Sequence, residues 1–242
     1  MSIVLPDPRL EMPELLIPGR KPTGAVQIDE SHYLVKDNFS FLFGGVDMTT
    51  KTWPVLSGGA HLDHGDFSTE GTSTGVITFS RNMSPATLPF VISIKFKISV
   101  SGVRQRIFFS SKGTYCGVAI GTDGSNKLEI TIGELGTASG SRRSFASTTA
   151  ISAGWHTATV RVESLTTCTL ILNGTHTTYS TSGSGLNYTP GSGVAEIGRL
   201  YSGSTSYYED TKVERVYIHT GYLPDAALIS LDRNPYQFLI PA

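Results

Sequence analysis

Charge is scarce in this chain. Only 16% of its 242 residues are Asp, Glu, Lys or Arg, and they nearly cancel, leaving a net charge of −1. That balance argues against a nucleic acid or an anionic membrane as partner, because both are recognised through a concentrated positive surface. Cysteine is scarcer still. Cys116 and Cys168 are the two present; both sit in strand-like surroundings, where a thiol is readily buried as a small hydrophobe, with a disulfide as the alternative. No run approaches the ~18 consecutive apolar residues that cross a bilayer. Met1-Ser2-Ile3-Val4-Leu5-Pro6 lacks the basic and sustained apolar regions of a secretory leader. Heptads, internal repeats, a Gly-x-Ser-x-Gly elbow, a His-Glu-x-x-His pair and a phosphate-cradling Gly-Lys-Ser/Thr loop are missing too.

Glycine, serine and threonine are plentiful instead, a composition suited to short strands joined by many turns. The clearest pattern begins at Gly154-Trp155-His156. Ala158, Val160 and Val162 alternate with Thr157, Thr159, Arg161 and Glu163, and then Cys168, Leu170 and Leu172 alternate with Thr169 and Ile171. A period of two means strand, and the Asn173-Gly174 that follows is a strong tight-turn signal. Ile92, Ile94, Phe96 and Ile98 alternate in the same way with Ser93, Lys95, Lys97 and Ser99, as when one sheet face is buried and the other solvated. Arg106 to Ser110, Tyr115 to Gly121, the Asp123-Gly124-Ser125-Asn126 turn and Leu128, Ile130 and Ile132 continue a meander, which Val194 to Leu200 and Lys212 to His219 close.

Residues 31–89 carry weaker signals, with strands expected around Phe39, Phe41 and Phe43, and around Val76 to Phe79. One helix is expected near the end, with Pro224 at its first position, Asp225 at the positive end of its dipole, Ala227, Leu228 and Leu231 as its apolar stripe, and Arg233-Asn234-Pro235 as its stop. The first thirty residues differ from the rest. Prolines at 6, 8, 13, 18 and 22 hold the backbone extended, while Leu10, Met12, Leu15, Leu16 and Ile17 supply apolar groups that a solvated linker would not need. Residues 1–30 therefore read as an extended assembly arm, and 31–242 as one β-sandwich.

Placed in this order, Gly154-Trp155-His156, Leu170-Ile171-Leu172-Asn173-Gly174, Glu196-Ile197-Gly198 and Val213 to Ile218 followed by Leu223-Pro224-Asp225 resemble the laminin-G-like branch of the concanavalin A-type jelly rolls. The ends, Pro18-Gly19-Arg20-Lys21-Pro22, Ser31-His32 and Asn234-Pro235-Tyr236-Gln237-Phe238, are similar to those of laminin-G-like proteins carried by tailed bacteriophages. The resemblance implies an all-β, two-sheet antiparallel jelly-roll sandwich with an extended arm and one short C-terminal helix. It further implies a non-enzymatic virion structural protein, a head decoration or a tail or fibre component. Its arm would bind other virion proteins (major capsid or tail protein), and homo-oligomerisation is expected. The alternative is a carbohydrate-binding module or adhesin that recognises surface glycans.

The residues offer modest chemistry. Sugar sites stack pyranose faces on exposed aromatics beside a few polar groups, and Tyr201, Tyr207 and Tyr208 crowd one polar loop, so they are the expected glycan contacts. No carboxylates repeat at the i, i+2 spacing, ~6.6 Å along a strand, that would suit a hydrolytic pair. His61, Asp63, His64 and Asp66 gather in one segment that reads as a polar surface loop rather than a metal site. A calcium ion near Asp123 or Asp210 lacks the dense oxygen cluster it needs; no cofactor is expected otherwise. Arg142-Arg143 reads as a solvated loop.

Overall fold

The computed structural model describes residues 20–22, 24–35, 39–70, 74–98, 105–111, 117–133, 142–185, 187–202, 205–208 and 211–242, and of 199–202 and 205–208 only the backbone. Leu10, Met12, Leu15, Leu16, Ile17 and Cys116 lie outside these residues. Among the described residues, nine strands form one sheet. Across it run Thr175–His176, Cys168–Leu172, Gly154–Val162, Phe90–Ile98, Thr211–Thr220, Phe39–Phe43 and Val46–Asp47, with the hairpin His61–Asp63/Asp66–Ser68 joined to Thr211–Thr220. Eight strands form the second sheet, in the order Tyr179–Ser182, Arg142–Ala150, Lys127–Gly133, Gly117–Thr122, Gln105–Phe109, Glu196–Ile197, Val76–Thr78 and Val55–Ser57. Neighbouring strands are antiparallel in both. The chain is the two-sheet antiparallel jelly-roll sandwich that the resemblance implied.

The alternating residues fill the space between the sheets. Ile92, Ile94 and Phe96 from one side meet Phe108, Ile120, Ile130 and Phe145 from the other, and all are buried. Each such side chain gains about 1.5–3 kcal/mol on leaving water. The turn at Asn173-Gly174 has φ values of 50° and 78°, which asparagine and glycine tolerate best, so the strand Cys168–Leu172 reverses there into Thr175–His176. Gly121 stands at a register shift between Gly117–Thr122 and Gln105–Phe109. A Cβ there would lie 1.9 Å from the Gln105 carbonyl oxygen, so only glycine lets the bulged strands approach.

A second core covers part of the first sheet's outer face, where the alternation had suggested solvent. Val91 and Tyr217 are fully buried there with Phe41, Ile171, Leu228, Leu231, Tyr236 and Phe238. The helix Asp225–Arg233 and the tail lie over these strands, so Phe90–Ile98 has two buried faces along half its length. Ala227, Leu228 and Leu231 do form the helix's inner stripe. Pro224, however, stands one position earlier than expected: it is the N-cap, with extended backbone, and the helix begins at Asp225. Arg161 holds that end. Its guanidinium donates to Asp225 Oδ1 and to the Leu223 carbonyl at 2.7 Å each, and stacks on Tyr222 with 4.4 Å to the ring centroid. Past the helix, Phe238 meets Phe41 edge-on at 4.8 Å.

The last part of the expected arm pairs with the tail, Val26–Ile28 against Leu239–Pro241. Two further expectations are corrected. Arg142-Arg143 opens a strand rather than lying in a solvated loop, and Arg143 Nη2 donates to the Gly185 carbonyl at 3.3 Å, with Nη1 donating to that of Gly183. The His61 to Asp66 segment is a β-hairpin rather than a loop, turned by His64 and Gly65 at φ 51° and 80°. Cys168 is a free thiol facing the main core, and burial pushes its pKa up to about 12.

Candidate functional site: an exposed indole among paired charges

The outer face of the first sheet that the helix and tail leave open carries Trp155, 41% exposed in the otherwise closely packed strand Gly154–Val162. Its position is fixed from the sequence upward. His156, the next residue, turns inward; its ring Nε2–H donates to the Ser152 carbonyl at 2.7 Å, and Nδ1 accepts from Asn173 Nδ2 at 3.0 Å. Asn173 also accepts the Thr157 N–H through Oδ1 and donates its own N–H to the Thr157 carbonyl. The turn residue thus clamps both sides of the strand's first residues, and the alternation sends Trp155 outward.

Cross-strand register builds the surroundings. Trp155 lies opposite Lys97, and Lys97 opposite Lys212, so the three share one face as adjacent rungs. Lys95 Nζ lies 5.6 Å and Lys212 Nζ 5.9 Å from the indole centroid, within cation–π range. Each ammonium has a carboxylate. Lys95 pairs with Glu214 at 2.7 Å, Lys97 with Glu70 at 2.8 Å, and Lys212 with Asp63 at 2.5 Å and Asp66 at 3.6 Å. Lys21, from the N-terminal segment, pairs with Asp66 and donates to the His64 carbonyl at 3.0 Å.

The titrations follow from these contacts. Lys212, and then His64, hold the Asp63 carboxyl below the usual carboxylate range. Burial opposes the charge on Lys212, but Asp63 with Asp66 and Glu70 outweighs it and holds the ammonium above its ordinary range. Glu214 is the residue at the register shift between Val213 and Arg215, is 5% exposed, and accepts a hydrogen bond from the Tyr236 hydroxyl on the oxygen that Lys95 leaves free. The C-terminal tail therefore helps to hold Lys95 against the indole.

Tyr201, Tyr207 and Tyr208 fall on a separate hairpin, Arg199–Ser202 against Thr205–Tyr208, in which Tyr201 is opposite Ser206, Leu200 opposite Tyr207 and Arg199 opposite Tyr208. The hairpin runs beside Gln105–Phe109 and starts where the Gly198 N–H donates to the Ile107 carbonyl. Their backbone is thus brought together on one element, while their side chains lie outside the described residues. The pad and the hairpin occupy the same end of the sandwich, since Gly154 and Thr211 both pair with Ile98 and Thr211 follows the hairpin by three residues.

The other sequence candidates have different duties. Asp63 and Asp66 are committed to ammonium groups, and Asp123 Oδ1 accepts the Ser125 and Lys127 N–H groups within its own turn. Asp210 is outside the described residues. Among the described residues no three His, Cys, Asp or Glu side chains gather as a metal set. Sequence reasoning missed Trp155 as a site residue and read it as a strand opener. Its parity was the available signal, because it falls in step with Thr157, Thr159 and Arg161 on the outward side.

No protein-family model matches the sequence, and no curated protein is similar to it in sequence. Solved structures are similar to it in fold. A Trypanosoma rangeli sialidase in complex with sialic acid aligns with a TM-score of 0.57 at 12% identity, over 80% of this chain and 32% of that one. The binding domain of botulinum neurotoxin DC in complex with rat synaptotagmin II aligns at 0.57 and 16% identity, over 81% of this chain and 51% of that one. A CBM40 of a Ruminococcus gnavus sialidase, bound to α2,6 sialyllactose, reaches only 0.48 at 14% identity. At these identities the first two likenesses are ones of fold alone, and this chain spans about a third to a half of those two proteins' length.

Proposed function

We propose that the chain is a non-enzymatic glycan-binding module or adhesin, and that the Trp155 pad is its binding surface. One observation carries this reading: an indole standing out from a sheet face, ringed at close range by charged side chains that can donate to and accept from hydroxyl groups. A pyranose presents an apolar C–H face and a polar rim, and the pad offers a partner for each. The lectin-like sandwich supports the reading as a scaffold able to display such a surface. The tyrosine hairpin at the same end is a second contact region in this proposal.

The virion role expected from the sequence enters as a setting for the module rather than as a rival to it. Its support is the resemblance of the chain's ends to laminin-G-like phage proteins, together with apolar arm residues that lie outside the described ones. In that setting residues 1–30 bind a major capsid or tail protein and the sandwich faces outward in many copies, where avidity amplifies weak single contacts.

Binding of the full chain to an immobilised panel of oligosaccharides tests the proposal. Trp155→Ala is expected to cost about tenfold or more in affinity, roughly 1.4 kcal/mol per factor of ten, while Trp53→Ala, at an even more exposed indole (68%) on another edge, leaves binding unchanged. Retention of all binding by Trp155→Ala, or no glycan bound by the parent chain, would overturn it.

A further inference from the structure

We infer that the Trp155 pad selects a neutral sugar through two adjacent ring hydroxyls, and that acidic sugars are disfavoured; this rests on the glycan-binding reading above. The charge inventory leads there. Four ammonium groups (Lys21, Lys95, Lys97, Lys212) face four carboxylates (Asp63, Asp66, Glu70, Glu214), and each ammonium is already engaged by at least one of them. An incoming carboxylate or sulfate would have to displace one of these anions or sit beside it. Asp66 and Glu214 are 6% and 5% exposed, so neither can swing into water to make room. Asp63 is more open but is held by both Lys212 and His64, Glu70 is held by Lys97, and a second anion next to any of them is repelled.

The accessible pair beside the indole is Lys97 with Glu70. Their side chains are 37% and 27% exposed, the ammonium and carboxylate are 2.8 Å apart, and Lys97 is the cross-strand neighbour of Trp155. A donor and an acceptor side by side match what two adjacent hydroxyls need. One hydroxyl oxygen accepts from Lys97 Nζ, the other hydroxyl donates to Glu70, and both bonds are charge-assisted. An anionic group can only accept, so it would satisfy Lys97 and leave Glu70 facing a like charge. The indole then takes the C–H face of the same ring, which fixes the sugar's plane, while the ion pair fixes which edge it presents.

The deciding experiment measures affinities of the full chain for neutral oligosaccharides and for their sialylated, uronate and sulfated counterparts, across a range of salt concentrations. Neutral ligands are expected to bind with little salt dependence. Glu70→Gln is expected to weaken them about tenfold and to raise affinity for the acidic set, since it frees Lys97. Both side chains are partly exposed, so the variant keeps the fold, which its thermal melt verifies. If the parent chain prefers acidic glycans, with affinity falling as salt rises, and Trp155→Ala abolishes that binding, the site stands and the neutral-sugar inference falls. If Trp155→Ala leaves neutral-sugar binding intact, the placement of the site falls instead. Binding of neither class overturns both.

Discussion

The outer face of the first sheet is one continuous surface built by the same strands, yet its two halves behave as different materials. Along Phe90–Ile98 the outward residues run Val91, Ser93, Lys95, Lys97; along Gly154–Val162, from the other end, they run Arg161, Thr159, Thr157, Trp155. Under the helix and tail, Val91, Ser93, Thr159 and Arg215 are buried. A polar seam runs through that half: Ser93 and Thr159 hydroxyls share a hydrogen bond at 2.8 Å, and Arg215 Nη1 donates to Ser93 Oγ at 3.0 Å. A few residues further along the same strands, Lys95, Lys97 and Trp155 meet solvent. A sheet face is therefore not assigned to core or water as a whole. Under the cover, charge is kept only where it is engaged, as Arg161 is by Asp225 and the Leu223 carbonyl and Arg215 by Ser93, whereas Lys95, Lys97 and Trp155 stay open to water.

The largest expected effect comes from lifting the cover. Phe238→Ala removes a fully buried ring packed on Phe41 and Tyr217 and should cost about 3–5 kcal/mol, read from chemical denaturation; a loss under ~1 kcal/mol would mean that the covered half is not a packed core. Next, Tyr236→Phe probes the joint between the halves. It strips Glu214 of a buried hydrogen bond, for about 1–3 kcal/mol. In a Trp53→Phe background, where Trp155 is the sole tryptophan, it should shift the indole emission through Lys95. An unchanged spectrum would make the halves independent.

The smallest effect belongs to Asp63→Asn on the open side. The Asp63 carboxyl is held below its unfolded pKa, so its contribution is present above that value, near ~4, and is lost as pH falls through the lower folded value. The melting temperatures of parent and variant should differ at neutral pH and converge in acid. A gap that widens in acid would mean the sign is wrong.

How much of this was legible follows from where each residue gets its neighbours. The long strands could be read because Phe90–Ile98 and Gly154–Val162 repeat their period for nine residues each, and the turn at Asn173-Gly174 and the helix stripe at Ala227, Leu228 and Leu231 are local signals. Strands of two or three residues, such as Val46–Asp47, Val55–Ser57 and His61–Asp63, offer no period to read, which is why residues 31–89 gave only weak signals. The pad was half legible. Trp155 and Lys97 have readable parity, but Asp63 reaches Lys212 across 149 positions in sequence, a meeting set by sheet order rather than by any local pattern. The cover over Val91 and Ser93 was illegible for the same reason, since a helix more than 120 residues later supplies it.

The pairing of Val26–Ile28 with Leu239–Pro241 has a mechanical meaning. Val26 is opposite Pro241 and Ile28 opposite Leu239, so a pull that separates the two ends opens the ladder from its outer rung inward, one pair at a time. Such unzipping loads hydrogen bonds singly and yields at low force, paying out about 3.3 Å of chain per residue. It would halt where the Asp29 N–H meets the Phe238 carbonyl and the Phe238 ring is wholly buried. Tension arriving from the N-terminal side meets Lys21 on Asp66 before that ladder, and Asp66 neighbours the pad. A tether pulled taut would thus strain the ion pairs beside Trp155 first and give way at the strand pair next, with the sandwich core unloaded until both have let go.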